Sequence, residues 1–251
     1  MGISATHNAV FITGSAKRIG KALALHLAAQ GYHVAVHYHH SHNEAQHTVR
    51  EIEALGVRAI ALPADLATDF DAHALITQAT QAVGPLTCLI NNASLFTKDT
   101  VQTATAESFH QHTHINTYAP LALINAFAKQ ATGGASIINI GDGALGWSYS
   151  AKYITYALSK MGLMGLATLL APELAPRIRI NNLALGPTLR GETEDAAMFD
   201  RLADHTPLKQ LSSIDDICRS ADYLLATPCI TGQTIYLNGG MQCHQLLTLN
   251  P

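Results

Sequence analysis

Tyr156 and Lys160 lie in the segment YITYALSK, and an acid, Asp142, precedes them in the chain. Side chains about four residues apart on a helix share one face, so the lysine charge would lie beside the phenol and favour its ionised form. A phenol and an ammonium group placed together can hold and deliver a proton during a reaction. We therefore predict that Tyr156 and Lys160 form the centre of a catalytic site that also contains Asp142.

The acid restricts the reaction that this site can perform. When a ketone is reduced, negative charge grows on its oxygen and has to face hydrogen-bond donors. A carboxylate about 4 Å away would raise that barrier by on the order of 4 kcal/mol, about a thousandfold in rate. The nitrogen of a ring C=N bond instead becomes basic and has to finish protonated, which a nearby acid favours. Asp142 therefore indicates reduction of a flat heterocycle; the alternative is that it only forms a turn between two glycines.

The elements that position these residues alternate along the chain. Apolar segments of strand length are 8–13, 33–38, 57–62, 86–90, 135–140, 178–185 and 233–238. Amphipathic helical segments between them include 18–30, 43–55, 69–82 and 107–130. Short, continuously apolar strands separated by helices indicate a parallel sheet that is covered on both faces. We predict one doubly wound Rossmann-type α/β domain with seven strands over residues 1–251, with ligands at the carboxyl ends of the strands.

Composition limits the classes of protein to which the chain can belong. Of its 251 residues 48% are apolar and 13% charged, which suits one large core and further burial between subunits. A net charge of −3 argues against a nucleic-acid partner. The four cysteines show no CxxC or zinc spacing and are typical of reduced thiols in the cytoplasm. The longest uncharged apolar stretch, which begins at Met161, is too short to span a membrane.

A glycine loop follows the first strand as TGSAKRIG, residues 13–20. Gly14 permits a tight turn, Gly20 lets the helix approach the strand closely, and the helix start offers N–H groups to a phosphate. Because the loop joins the first strand to the first helix, we predict a dinucleotide site; the alternative is a turn of structural importance only.

The end of the second strand indicates which dinucleotide binds. An enzyme for NAD carries an acid there, whereas VHYHHSHNEA has none before Glu44. The residues near this position are His39, His40 and Ser41, and the glycine loop adds the cations Lys17 and Arg18. Such donors and cations suit a 2′-phosphate, which carries about two negative charges. We predict NADPH as the cofactor.

The histidines of the same segment allow other interpretations. A metal-binding tract would consist of His37, His39, His40, His42 and His47. Neighbouring strand residues face opposite sides of a sheet, however, and no cysteine or carboxylate clusters with these histidines. We predict no metal site, and a solvated histidine patch without function remains an alternative.

Together the motifs resemble those of the short-chain dehydrogenase/reductase family along essentially the whole chain. In order they are the glycine loop at 13–20, NNA at 91–93, Asn116, Tyr156-xxx-Lys160, GPT at 186–188 and NGG at 238–240. Within the family, TGSAKRIG, HYHHS, NNASLF and YITYALSK are most similar to pteridine reductases and dihydromonapterin reductases. The broad family has a serine where this chain has Asp142, and Ser148 and Ser150 lie too near Tyr156 to replace it. The pteridine reductases would carry arginine at His40, so phosphate binding is expected to be weaker here at neutral pH.

The resemblance implies roles for further residues. The cofactor site would also contain Ile19, Asp65, Leu66, Asn92, Ala93, Lys160, Pro187 and Thr188. Asp65 would accept a hydrogen bond from the adenine, and Asn116 would keep a water relay behind Lys160. In the substrate site Ser94 would bond the edge of a pterin, Phe96 would stack on its ring, and Tyr153 would contact it. Alternatively, Phe96 and Tyr153 only pack.

We predict an NADPH-dependent reductase of pterins, with dihydromonapterin, dihydrobiopterin or dihydrofolate as the substrate. The alternatives are a carbonyl reductase of 3-oxoacyl or sugar ketones, and an NADPH-binding sensor without turnover. The irregular, polar segment 187–212 is predicted to be a substrate lid, with an ordinary surface excursion as the alternative. The resemblance also implies a homotetramer in the cytoplasm.

Overall fold

The computed structural model describes residues 8–145, 151–190, 199 and 201–243. Seven parallel strands form one sheet in the order β3-β2-β1-β4-β5-β6-β7. They are β1 Ala9–Ile12, β2 His33–Tyr38, β3 Ala59–Pro63, β4 Leu86–Asn91, β5 Ala135–Asp142, β6 Ile178–Leu185 and β7 Thr234–Leu237. The predicted doubly wound sheet is confirmed.

Helices cover both faces of the sheet. They are α1 Arg18–Ala29, α2 His42–Glu53, α3 Ala72–Val83, α4 Ala106–Thr113, α5 Ala119–Gln130, α6 Ile154–Leu174 and α7 Ile214–Ala226. Alternate strand residues face opposite sides of the sheet and belong to two separate hydrophobic cores. Phe11 packs with α3, α5 and α6, whereas Ile12 packs with α1, α2 and α7. Both side chains are fully buried.

The single helix expected over 107–130 is wrong in one respect, because a π-helical turn at His114–Tyr118 separates α4 from α5. Pro120 has no N–H to donate to the carbonyl of Asn116, so the regular α-helical pattern cannot pass this point. The interruption places Asn116 in the π-helical turn, buried beside α6.

Helix α6 is the only helix in the described ranges that is long and apolar enough to cross a membrane. Half of that apolar stretch is buried inside the protein, and α6 packs against β5, β6 and α4. The sequence estimate was shorter because it counted only uncharged residues, whereas the helix extends back past Lys160. We interpret α6 as a core helix.

A row of buried asparagines crosses the sheet at one register. The Nδ2 of Asn91 donates to the Oδ1 of Asn139 at 2.9 Å, and the Nδ2 of Asn139 donates to the Oδ1 of Asn182 at 3.2 Å. The Nδ2 of Asn182 then donates to the Oγ1 of Thr234 and to the carbonyl of Met164 in α6, both at 2.9 Å. A slip of one residue would turn an asparagine to the opposite face, so this row opposes any change of register.

Candidate active site

The glycine loop is packed tightly against the ends of β1 and β4. Gly14 has a φ of +62°, and a Cβ on Gly20 would lie 2.4 Å from the carbonyl oxygen of Gly14. Both positions therefore require glycine, for the turn and for the close approach respectively. The Nδ2 of Asn92 donates to the carbonyls of Thr13 and Gly14 at 2.9 and 3.0 Å. Asn92 thus supports the loop, and its contact with a cofactor stays a prediction.

Arg18 joins the glycine loop to the segment that follows β6. Its φ is +54°, in the left-handed region that favours glycine, which agrees with its place at the usual middle glycine of such a loop. Its guanidinium donates to the carbonyls of Leu189 and Arg190 at 3.2–3.3 Å. These contacts were not predicted from the sequence, and the expected contact of Arg18 with the cofactor stays a prediction.

His37 has a structural role that separates it from the other histidines. The N–H of Gly14 donates to its Nδ1 at 3.0 Å, and its Nε2 donates to the carbonyl of Ala64 at 3.1 Å. Burial lowers the pKa of His37 to about 4, which keeps the ring neutral and able to accept at Nδ1. The side chain ties the ends of β2 and β3 to the glycine loop.

His39 and His40 lie exposed at the end of β2, with ring centroids 3.4 Å apart. The Nε2 of His39 is 3.6 Å from the Oδ1 of Asp65, which also accepts a hydrogen bond from Ala67. Ser41 begins α2 without capping it through its side chain. Among the described residues no group of three or more His, Cys, Asp or Glu is arranged to hold a metal ion.

An open cavity of about 560 Å³ lies between the glycine loop and α2. It is lined by Ala16, Lys17, Arg18, Lys21, Asn43, Glu44 and His47. The lysines and the arginine make its wall mainly cationic, although Glu44 contributes one negative charge. Together with the glycine cradle, this chemistry fits the phosphates of a dinucleotide.

Asp142, Tyr156 and Lys160 come together where β5 ends and α6 begins. The hydroxyl of Tyr156 donates to the Oδ2 of Asp142 at 2.8 Å, and the Nζ of Lys160 donates to the carbonyl of Ile140 at 2.9 Å. The N–H of Ala144 fixes the other carboxylate oxygen at 2.7 Å. The Nζ of Lys160 lies 6.0 Å from the centre of the Tyr156 ring. All three side chains are buried, so their charges act at low dielectric.

The charge of Lys160 is set by two opposing effects. Burial lowers the pKa of Lys160, and the negative charge of Asp142 opposes part of this decrease, so that the resulting pKa is about 8. The ammonium form is therefore lost as the pH rises through about 8.

Asn116 connects the segment after β4 to α6. Its Oδ1 accepts from the N–H of Leu95 at 2.8 Å, and its Nδ2 donates to the carbonyl of Leu95 and to the Oγ of Ser159, both at 2.9 Å. These contacts are structural, and the water relay expected behind Lys160 stays a prediction.

Three aromatic rings meet beside the carboxylate. Phe96 stacks on Tyr153 with ring centroids 4.4 Å apart and an angle of 7°, and it meets Tyr156 edge to face at 4.6 Å. Phe96 is 47% exposed, whereas Tyr153 is buried. Ser94, also exposed, precedes them with its Oγ donating to the carbonyl of Leu95. The structure thus brings Phe96, Tyr153, Tyr156 and Asp142 together, and the position of Ser94 against a substrate stays a prediction.

The remaining predicted residues lie in the glycine loop and after β3, β4 and β6. Ile19, Ala93, Pro187 and Thr188 are half-buried, and Leu66 is buried. The Oγ1 of Thr188 donates to the carbonyl of Gly186 and lies 2.7 Å from the Oγ of Ser212. The two ends of the 187–212 segment therefore meet, but positions 191–198 and 200 lie outside the described residues. Ser148 and Ser150 also lie outside them.

A buried polar cluster that was not predicted from the sequence lies behind the rings. It consists of Asp99, His112 and Thr155. The three residues belong to different segments of the chain, and no local spacing connects them.

The chain combines a dinucleotide cradle at the ends of β1 and β2 with a phenol, a carboxylate and an ammonium group. This combination defines a nucleotide-dependent oxidoreductase of the doubly wound class. A family model described as enoyl-(acyl carrier protein) reductase matches residues 14–242. The chain belongs to the short-chain dehydrogenase/reductase family.

Similar proteins within the family have different reported activities. FolM alternative dihydrofolate reductase 1 from Brucella canis, solved with NADP, is 34% identical with a TM-score of 0.89, covering 94% of each chain. A short-chain dehydrogenase from Burkholderia cenocepacia, also solved with NADP, is 30% identical with a TM-score of 0.87, covering 94% of this chain and 98% of that one. The 3-oxoacyl-[acyl-carrier-protein] reductase FabG of Staphylococcus epidermidis is 30% identical over 244 residues, covering 94% of this chain and 99% of its own.

We expect Asp142→Asn to lower the pKa of Lys160 below about 8, because it removes the charge that raises this pKa. The titration can be followed by NMR of ¹³C-labelled lysine side chains in the protein without ligands. Asp65→Asn, which removes a carboxylate at the end of β3, should leave the titration unchanged. An unchanged or higher pKa in Asp142→Asn would contradict the electrostatic account of the site.

Proposed function

We propose that this oxidoreductase is an NADPH-dependent reductase of pterins, which converts dihydromonapterin, dihydrobiopterin or dihydrofolate to the tetrahydro form. The single observation that carries the proposal is the hydrogen bond from the Tyr156 hydroxyl to Asp142. The similarity to a FolM alternative dihydrofolate reductase supports it.

NADPH is the cofactor, in agreement with the NADP in the solved relatives. The glycine cradle and the cationic cavity beside α2 fit its phosphates. The residues proposed to hold it are Gly14, Lys17, Arg18, Ile19, Gly20, His39, His40, Ser41, Asp65, Leu66, Asn92, Ala93, Lys160, Pro187 and Thr188. When bound, its reduced nicotinamide supplies the hydride for the reaction.

Tyr156 and Asp142 are proposed to select a ring nitrogen over a ketone oxygen. Because the phenol hydrogen is directed at Asp142, the phenol oxygen is presented as an acceptor, which suits an N–H group of the substrate. The negative charge of Asp142 stabilises the ring nitrogen in its protonated, cationic form, and the proton is proposed to come from solvent by way of Tyr156 and Asp142. A ketone oxygen brings no hydrogen and would meet the phenol oxygen and the carboxylate charge instead. Lys160, fixed by the carbonyl of Ile140, is proposed to favour the ionised form of Tyr156.

The aromatic rings are proposed to recognise the flat substrate. Phe96 is half-exposed, is supported from behind by Tyr153, and lies next to Tyr156. A stacked aromatic pair contributes about 0.5–1.5 kcal/mol beyond its buried area. Ser94 is proposed to bond the donors and acceptors at the edge of a pterin.

A carbonyl reductase is the second candidate, since FabG relatives match almost the whole chain. It requires Tyr156 to donate its hydrogen to a ketone, and the carboxylate at 2.8 Å opposes this. A sensor without turnover is less consistent with the structure, because the catalytic pair is assembled and buried.

We expect the wild-type enzyme to oxidise NADPH with dihydropterins and to be far slower with a panel of 3-oxoacyl and sugar ketones. Asp142→Ala should lower kcat/KM for dihydropterins by about a hundredfold or more, because the site loses the negative charge that stabilises the protonated ring nitrogen. Both can be measured from the absorbance of NADPH. Tyr156→Phe is the matched variant that should abolish turnover of either substrate class. Turnover of ketones without turnover of dihydropterins would refute the proposal.

We expect the double variant His39→Gln, His40→Gln to lower the preference for NADPH over NADH, measured as a ratio of Kd values, by about two- to tenfold, because two proposed partners of the 2′-phosphate are replaced. His73→Ala, on the exposed side of α3, is the control and should behave as wild type. A tighter Kd of the wild type for NADH than for NADPH would contradict the role of these histidines.

We propose that the enzyme is a cytoplasmic homotetramer. Helices α4 to α6 and the turn between them expose large apolar side chains, which are Phe109, Tyr118, Leu121, Leu158, Met161 and Leu169. Water contact with so many apolar groups is unfavourable, and a subunit interface would remove it. Light scattering should give a molar mass of four times 26.8 kDa, whereas a monomer mass would rule out this assembly.

A further inference from the structure

The buried cluster of Asp99, His112 and Thr155 connects the segment after β4 to the start of α6. The N–H of Thr155 donates to the Oδ1 of Asp99 at 3.1 Å, and the Oγ1 of Thr155 donates to its Oδ2. The Nδ1 of His112 lies 2.7 Å from the Oγ1 of Thr155, and its Nε2 lies 3.0 Å from the Oγ1 of Thr97. His112 is fully buried, and Asp99 and Thr155 are nearly so.

The partners determine where the hydrogens of this cluster lie. The N–H of Thr97 donates to the Nε2 of His112 at 3.3 Å, so this nitrogen is an acceptor and the ring is neutral with its hydrogen on Nδ1. The Nδ1–H then faces the Oγ1 of Thr155 and the carbonyl of Ser108. Because Thr155 gives its own hydrogen to Asp99, it accepts from His112. The hydrogen bonds therefore run in one direction from His112 to the carboxylate.

The charge at the end of this chain of hydrogen bonds is maintained by its partners. Burial alone would raise the pKa of Asp99, but hydrogen bonds from Thr155 and Ser108 outweigh burial and lower the pKa below its usual value. Asp99 is thus a carboxylate that accepts at both oxygens. A carboxylate also interacts favourably with the N-terminus of a helix, which here is α6.

The segment that carries Phe96 is held at alternate residues, at one by Asn116 and at two by the cluster. Leu95 is bound by Asn116, Thr97 by His112, and Asp99 by Thr155. The backbone of Asp99 also pairs with that of Tyr153. Phe96 lies between two of these attachment points and reaches the rings of Tyr153 and Tyr156.

We propose that His112, Thr155 and Asp99 form a positioning network that holds Phe96 beside Tyr156 and so determines how well a flat heteroaromatic substrate binds. The proposal rests on the proposed function for the nature of the substrate, and it goes beyond it by assigning substrate affinity to residues outside the pocket. The network does not contact the glycine cradle, so cofactor affinity is independent of it.

Thr155→Val tests the network, because it removes the bridging hydroxyl while keeping the size of the side chain and the backbone N–H. We expect KM for a dihydropterin to rise about tenfold, with a smaller change in kcat and an unchanged Kd for NADPH. Thr155→Ser restores a hydroxyl and should restore KM. Thr80→Val is the matched control, since it removes a threonine hydroxyl of α3 that bonds the carbonyl of Ile76 and the Oε1 of Gln130 at the end of α5, away from the site.

A second measurement requires no turnover. Hydrogen–deuterium exchange in the 95–99 segment should be faster in Thr155→Val than in wild type or Thr155→Ser, with no change in the 13–20 loop. Equal exchange in this segment, a parallel loss of NADPH binding, or failure of Thr155→Ser to restore KM would overturn the proposal. If wild type turns over no dihydropterin, only the proposed function fails, and the exchange comparison still decides on the network.

Discussion

The site depends on an ammonium group that is held inside the protein. Removing a charge from water costs several kcal/mol, and this cost has to be offset by well-placed partners. For Lys160 they are the carbonyl of Ile140 and the negative charge of Asp142. Both belong to β5, so this strand has to end at a fixed place beside α6. The same arrangement directs Tyr156 at the carboxylate, which links the energetics of the fold to the chemistry of the site.

Helix α6 is attached to its surroundings at three levels. Asp99 holds its first turn, Lys160 holds its second turn to β5, and at its middle the carbonyl of Met164 accepts from Asn182 in the sheet. Polar contacts inside a core are costly when one partner is missing, so together they favour a single position of the helix. Few other positions would place a phenol, a carboxylate and a half-exposed aromatic ring within reach of one substrate.

The sequence was sufficient for the features that local rules determine. Every strand was predicted within two residues, since continuous apolar runs have few other interpretations. The glycines of the loop were readable because only glycine meets the steric demands there. The interruption at Asn116 was missed although Pro120 signalled it. The contacts of His112 with Thr155 and of Arg18 with Arg190 join residues 43 and 172 positions apart, and no periodicity encodes such pairs.

The row of asparagines has a consequence for anyone who wishes to redesign this scaffold. An apolar replacement of Asn139 alone would strand an amide on each side, so the three positions can be exchanged for a hydrocarbon layer only together. Strands β4, β5 and β6 therefore have to be transferred into another sheet together or left unchanged.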